Sequence, residues 1–196
     1  MPVEKTSGVR KTAAMDVRAT ADLLDHAVTQ RGETLAELVS ASSVLLVFLR
    51  HAGCTFCREA LADIAGSRQN IEGQGIRIVL VHLGDADELD RLLEKNSLCG
   101  LDRLCDPNQE LYKAFGLKRG TALQLFGPKV WWRGIKAGLI SGHGMGMPAA
   151  DASQMPGVFL LEQGVIARRF RHRSAADRPD YEALCNQPAL KSAERK

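Results

Sequence analysis

Apolar positions in this chain follow two patterns, short unbroken runs and helically spaced stripes, and their alternation predicts the elements. Val44–Leu49 and Ile76–Leu83 are nearly continuous apolar runs rich in β-branched residues. Such runs, too short for helices, predict strands buried on both faces of a parallel sheet. Between them, Ala60, Leu61, Ile64 and Ala65 recur at helical spacing until Gly73 and Gly75 break the pattern. After the second run, Asp85 is placed to cap a helix carrying Leu89, Leu92 and Leu93 to about Ser97. Strand, helix, strand, helix at this spacing predicts βαβ units.

Upstream, Ala19, Leu23, Leu24 and Ala27 mark a helix over about 19–30, Gly32 ends it, and 33–39 form a second short one. Downstream, Leu104–Pro107 reads as a brief strand, followed by a helix with Leu111, Tyr112 and Phe115 closed by Gly116. Residues 118–154 are less regular and read as an insertion. Within it Trp131, Ile135 and Leu139 fall at helical spacing, and Gly142–Pro148 forms a glycine- and methionine-rich loop or lid. The Trp131–Trp132 pair marks either a partner surface or one core indole beside one at the helix edge. Gly157–Leu161 and Val165–His172, separated by Glu162-Gln163-Gly164, form a hairpin signature. The arginines between 168 and 173 make the second strand a basic edge that resists edge-to-edge pairing. A last helix is expected over 177–185. The organisation is therefore a flexible arm (1–18), a single α/β domain (19–187) with a central sheet of four to five strands, and a frayed tail (188–196).

Composition changes this picture little. The 196 residues are 45% hydrophobic and 25% charged, with a net charge of +3. That is ordinary for a soluble domain and does not call for nucleic acid. No stretch has the length of a membrane span, and the polar, basic N-terminus lacks the apolar centre of a secretory signal. Five cysteines, an odd number without a signal, suggest a reducing compartment, so a cytoplasmic location is expected.

The chemistry concentrates where the first buried strand hands over to a helix. There stands Arg50-His51-Ala52-Gly53-Cys54-Thr55-Phe56-Cys57-Arg58-Glu59. Unpaired N–H groups and the positive end of the macrodipole at a helix start favour an anion, and Cys-x-x-Cys thiols in this setting have lowered pKa values. Cys54 and Cys57 lie three apart, close enough to form a disulfide. Two other readings of the pair are half of a zinc site and a purely structural pair. Cys99 and Cys105 do not supply a second Cys-x-x-Cys, nor does any His-x-His motif. No metal and no cofactor are expected. His82, near a strand end, reads as a hydrogen-bonded structural histidine more readily than a functional one.

The succession of strand, Cys-x-x-Cys helix, strand, helix, Met-Pro, hairpin and helix resembles the thioredoxin fold. Three motifs narrow the resemblance: Arg50–Glu59, Asp106-Pro107 with Leu111–Leu117, and Gln154-Met155-Pro156-Gly157-Val158-Phe159. Together they resemble the peroxiredoxin-like, selenoprotein-L-related branch of the AhpC/TSA superfamily, over about residues 33–185. The resemblance implies that Cys54 and Cys57 are the redox pair. It implies that Pro156 is a cis proline facing the dithiol, leaving the Met155 backbone free to pair with a substrate. If Cys57 is aligned with the peroxidatic cysteine of true peroxiredoxins, Cys54 occupies the position of the peroxide-orienting hydroxyl. Arg50 then takes the place of the proline and either lends positive charge or flanks the sheet.

The expected activity is thiol–disulfide oxidoreduction, with Cys54 attacking because it lies nearer the helix start and Cys57 resolving. The alternatives are a peroxidase working through a sulfenic acid and a non-enzymatic redox sensor. The expected partners are a thiol or disulfide substrate, or peroxide, and a thiol reductant such as thioredoxin or glutathione, without nucleic acid or membrane. The dithiol should cycle without metal. Metal analysis of protein from its native source should find no stoichiometric zinc, and alkylation of Cys54 and Cys57 should release none.

Overall fold

The computed structural model describes residues 17–50, 55–84, 86–121, 153–174 and 176–186. The expected arm up to residue 16, the Asp85 cap, the Trp131 helix with Trp132, the 142–148 loop and the tail lie outside the described residues.

Helices α1 (Val17–His26) and α2 (Leu35–Ala41) precede the first strand, as the periodicity predicts. Thr34 starts α2 through a reciprocal cap. Its hydroxyl accepts the Glu37 N–H at 3.2 Å, and the Glu37 carboxylate accepts the Thr34 N–H at 2.7 Å. The two apolar runs become β1 (Ser43–Phe48) and β2 (Ile76–His82), joined by the long helix α3 (Thr55–Glu72). Then come α4 (Ala86–Lys95), β3 (Asp102–Cys105) and α5 (Glu110–Ala114). The hairpin is β4 (Gly157–Glu162) and β5 (Val165–Arg171), and α6 (Tyr181–Asn186) follows it.

The five strands form one mixed sheet in the order β3-β2-β1-β4-β5. Strands β1, β2 and β3 run parallel, while β4 is antiparallel to both β1 and β5. Successive side chains of a strand point to opposite faces, and both faces here are covered, which is why β1 shows no polar alternation. Leu45 and Val47 pack with Ile78, Leu80, Val158 and Leu160 beneath Leu61 and Ile64 of α3, Leu89 and Leu93 of α4 and Tyr181 of α6. Val44, Leu46 and Phe48 pack with Val79, Val81, Phe159 and Leu161 beneath Leu24 of α1, Leu35 and Leu38 of α2 and Leu111 of α5. Each such apolar side chain contributes roughly 1.5–3 kcal/mol on burial.

Two expectations for the C-terminal part are corrected. Strand β5 is not simply a solvated basic edge. Arg168 donates to the carbonyls of Leu184 and Cys185 at the end of α6, at 3.1 and 3.4 Å. Arg171 donates to the Phe115 carbonyl at the end of α5 at 2.7 Å and lies 5.7 Å over the Phe159 ring. These cations meet the orphan carbonyls and negative dipole ends of two helices. Gly116 takes φ +67° beneath Arg171, and a Cβ there would come within 2.8 Å of the guanidinium. The last helix begins at Tyr181 rather than at Asp177, because the Asp177 carboxylate instead closes a turn. It accepts the N–H groups of Arg173 and Ser174 at 2.6 and 3.0 Å. Pro179 then disfavours helical backbone in the residue before it, and Asp180 caps α6 by accepting the Ala183 N–H at 2.9 Å.

The centre of the second layer is aromatic. Phe159 meets Phe115 and Phe48 with centroids 4.9 and 5.6 Å apart, and Phe48 meets Tyr112 at 4.9 Å, edge to face. Phe159→Ala should lower the unfolding free energy by about 3–5 kcal/mol, measured by urea titration, through lost burial and the cavity it leaves.

Candidate functional site

The site forms where β1 ends. Leu49 and Arg50 follow Phe48 into the interior, and both are buried. Residues 51–54, Cys54 among them, lie outside the described residues. Helix α3 starts at Thr55, so Cys57 sits in its first turn, buried at 4% exposure. The Arg50 backbone N–H donates to the Cys57 sulfur at 3.2 Å. First-turn amides and the dipole of an 18-residue helix add positive potential at this sulfur, while its burial opposes ionisation.

The Arg50 side chain reaches across the sheet and donates from Nε to the Gln154 carbonyl at 3.1 Å. This bond joins the β1–α3 junction to the segment entering β4. The segment does not have the geometry that the resemblance implies. Among the described residues no peptide bond is cis, so Met155–Pro156 is trans. Nor is the Met155 backbone free. Its N–H donates to the Lys118 carbonyl at 3.2 Å, and its carbonyl accepts Gln154 Nε2 at 3.2 Å. The trans form of an X–Pro bond is the favoured one by about 0.5–1 kcal/mol, and a neighbourhood already paired this way supplies no counterweight. Pro156 nevertheless lies in the same cleft as Cys57.

That cleft is lined by Arg50, Phe56, Cys57, Pro156, His172 and Tyr181, with Glu59, Asp63 and Arg178 along its wall. Arg178 pairs with two carboxylates on α3, with Glu59 at 3.3 Å and with Asp63. Burial pushes the His172 imidazole down to about 4. The Asp177 charge and the Pro156 and Asp177 backbone act the other way, and the Arg50 charge adds to the depression. Two buried tyrosines lie near enough to feel the Cys57 charge. Burial, and then the Cys57 charge, hold the ionisation of Tyr112 far above its usual range. Burial, Asp63 and Cys57 do the same for Tyr181.

The structure thus brings Arg50, Cys57 and Pro156 together, and Met155 lies beside them against Phe56. It adds His172, Tyr181 and the Arg178 pairs, which the sequence reading placed in a basic edge and a plain final helix. A local signal existed for the acids alone, since Glu59 and Asp63 share a face of α3 at four-residue spacing. Cys99 and Cys105 are exposed free thiols, and Cys185 is a buried one that burial pushes up to about 11. His82 is buried with Nδ1 3.0 Å from the Gly84 carbonyl, the structural role expected of it. Among the described residues no three His, Cys, Asp or Glu side chains converge on a metal position, and no helix is long and apolar enough to cross a membrane.

Comparison with known proteins agrees with this architecture. Residues 63–175 match the family model described as AhpC/TSA antioxidant enzyme, a stretch that begins after Cys57. The prostamide/prostaglandin F synthase of Danio rerio is 26% identical over 171 residues, covering 84% of this chain and 83% of that protein. The chloroplastic thioredoxin-like protein AAED1 of Arabidopsis thaliana is 28% identical over 116 residues. This match takes in 57% of the chain but spans less than half, 46%, of that relative's length. Among solved structures, peroxiredoxin Q of Xanthomonas campestris superposes with a TM-score of 0.56 at 16% identity, covering 81% of this chain and 85% of that one. Peroxidoxin BcpB of Mycobacterium tuberculosis gives 0.53 at 16% identity, covering 76% and 82%. At these identities the structures show the shared thioredoxin-like fold.

The depressed His172 sets a pH dependence. Between pH 6.5 and about 4 the unfolded chain holds a proton on this residue that the folded chain lacks. Its share of stability is therefore complete above pH 6.5, falls as the pH drops towards 4, and falls no further below. At about 1.4 kcal/mol per pH unit the loss over this window is about 3 kcal/mol. Urea unfolding of wild type and His172→Gln at pH 7 and pH 4 should show the variant losing less over the interval by about that amount.

Proposed function

The chain belongs to the AhpC/TSA antioxidant enzyme family and is an oxidoreductase, and from that premise we propose that it is a thiol–disulfide oxidoreductase working through Cys54 and Cys57. The observation that carries the reading is the state of Cys57. It is buried in the first turn of α3 with its sulfur held by the Arg50 N–H, as suits a resolving thiol that meets only its neighbour. Cys54, one step earlier at the junction, is then the attacker. Its thiolate displaces one sulfur of a substrate disulfide, which leaves as a thiolate, and forms a mixed disulfide. Cys57 gives up its proton and attacks the Cys54 sulfur, expelling the second substrate thiolate and leaving Cys54–Cys57 oxidised. Two electrons from a thiol donor of the thioredoxin or glutathione class restore the dithiol. A reducing, cytoplasm-like compartment fits this cycle and the exposed free thiols Cys99 and Cys105.

A specific observation favours a second reading, peroxide reduction. Cys57 is buried but lines a cleft with Arg50 on its wall, so its sulfur faces a cavity beside a cation. In that case the Cys57 thiolate attacks the terminal peroxide oxygen and an alcohol departs with a proton. Cys54 then condenses with the resulting sulfenic acid, releasing water.

Paired variants separate the two. In the reductase reading Cys57→Ser still attacks but cannot resolve, so mixed disulfides accumulate on Cys54, while Cys54→Ser captures nothing. Mass spectrometry after brief exposure to a disulfide or to peroxide, with a sulfenic-acid trap present, reads both. Rapid trapping on Cys57 at low peroxide, without adducts on Cys54, would overturn the first reading in favour of the second.

A further inference from the structure

The Arg50 N–H that meets the Cys57 sulfur is half of a peptide group whose other half is the Leu49 carbonyl. A peptide group is planar and rigid, so whatever holds the carbonyl also aims the N–H. That carbonyl accepts the Tyr112 hydroxyl, which reaches the Val81 carbonyl as well, at 3.1 Å. The Leu49 N–H donates to the same Val81 carbonyl at 2.8 Å. Val81 therefore has a donor without the phenol, and the hydroxyl matters most at Leu49.

Tyr112 is fixed independently of the sulfur. Its backbone N–H donates to the Asp106 carboxylate at 3.2 Å, and its carbonyl accepts the Leu117 N–H at 2.8 Å. Its ring meets Phe48 edge to face and is fully buried. A phenylalanine would fill the same space, so packing accounts for the ring and not for the oxygen. A hydroxyl in so dry a place costs free energy unless it is bonded, and here its bond leads to the peptide that faces Cys57.

We propose that Tyr112 is a positioning residue for the Cys57 thiolate: its hydroxyl holds the Leu49–Arg50 peptide with the N–H aimed at the sulfur and polarises that N–H into a stronger donor. Donation to a carbonyl draws electron density from the amide nitrogen, and bonds in such a chain strengthen one another by roughly 10–30% each. The gain falls on the thiolate, which burial at 4% exposure penalises and hydrogen bonds favour. No proton passes along the chain, since the phenol keeps its O–H bond and the thiol proton leaves to solvent or with the departing thiolate. Burial, and then the Cys57 charge, keep the phenol from ionising, so it remains a donor throughout the cycle. The inference rests on Cys57 being a working thiol, as in the function above, but not on which cysteine attacks first.

The test is the pH titration of Cys57, read from the ultraviolet absorbance of its thiolate. The signal is the difference between a Cys54→Ser protein and the same protein also carrying Cys57→Ser. Tyr112→Phe should move the inflection up by about half a pH unit, lowering the thiolate fraction about threefold below it. Phe115→Leu, which loosens the same aromatic cluster and spares the hydroxyl, should lower the melting temperature and leave the inflection in place. A ring-fluorinated tyrosine incorporated in a Tyr181→Phe background labels Tyr112 alone, because the chain has two tyrosines. Its more acidic phenol donates more strongly and should move the inflection down, and this arm decides the matter if Tyr112→Phe does not fold. An unmoved inflection in either Tyr112 arm, or an equal shift in Phe115→Leu, would overturn the proposal. Disulfide turnover of Cys57→Ser separately reports on the dithiol reading.

Discussion

Everything about this site depends on a buried arginine that bonds in two directions at once. The Arg50 N–H holds the Cys57 sulfur, and its Nε holds the Gln154 carbonyl, so one residue links the end of β1, the start of α3 and the approach to β4. A guanidinium in so dry a place is tolerable only where acceptors and negative charge surround it. The Gln154 carbonyl is one such acceptor. The sulfur in turn needs donors if it is to ionise out of contact with bulk water, and the Arg50 N–H is one.

The second constraint comes from the opposite side of α3. Arg178, through Glu59 and Asp63, fastens the segment leading into α6 onto the helix that carries Cys57. Exposed ion pairs are individually weak, but these carboxylates are mostly covered and share one planar, bidentate partner. With Arg168 bonded to the end of α6, that short helix is held at both ends. A six-residue helix has almost no stability of its own, so its geometry is inherited from these anchors.

The sequence made one half of this legible. The change from an unbroken apolar run to helical spacing at Cys54–Cys57 is local, and so is the Gln163-Gly164 turn of the hairpin, where both residues have positive φ. These features depend only on neighbours along the chain. His172 and Tyr181 were missed because they reach the cleft from elements more than a hundred residues along the chain from Cys57. The arginines of β5 were misjudged for a related reason, since the carbonyls they meet belong to α5 and α6. The cis proline failed differently. A motif can carry over the position of Pro156, but the isomer is decided by less than about 1 kcal/mol, and here the bonds of Gln154 and Met155 surround a trans peptide.

The order of strands carries a consequence for how the chain is made. Strand β1 lies at the centre of the sheet, yet one of its edges is completed only by β4, with Val44 paired to Leu161. During synthesis β1, α3, β2 and β3 emerge long before that partner, leaving the apolar edge of β1 open while translation continues through the intervening residues. Contacts of such long sequence separation form slowly, and an open hydrophobic edge is a template for pairing with other chains. The nascent protein is thus most vulnerable to aggregation in the interval before residue 157 leaves the ribosome. Chains cut short in that interval would be substrates for chaperones and proteases rather than partly active enzymes.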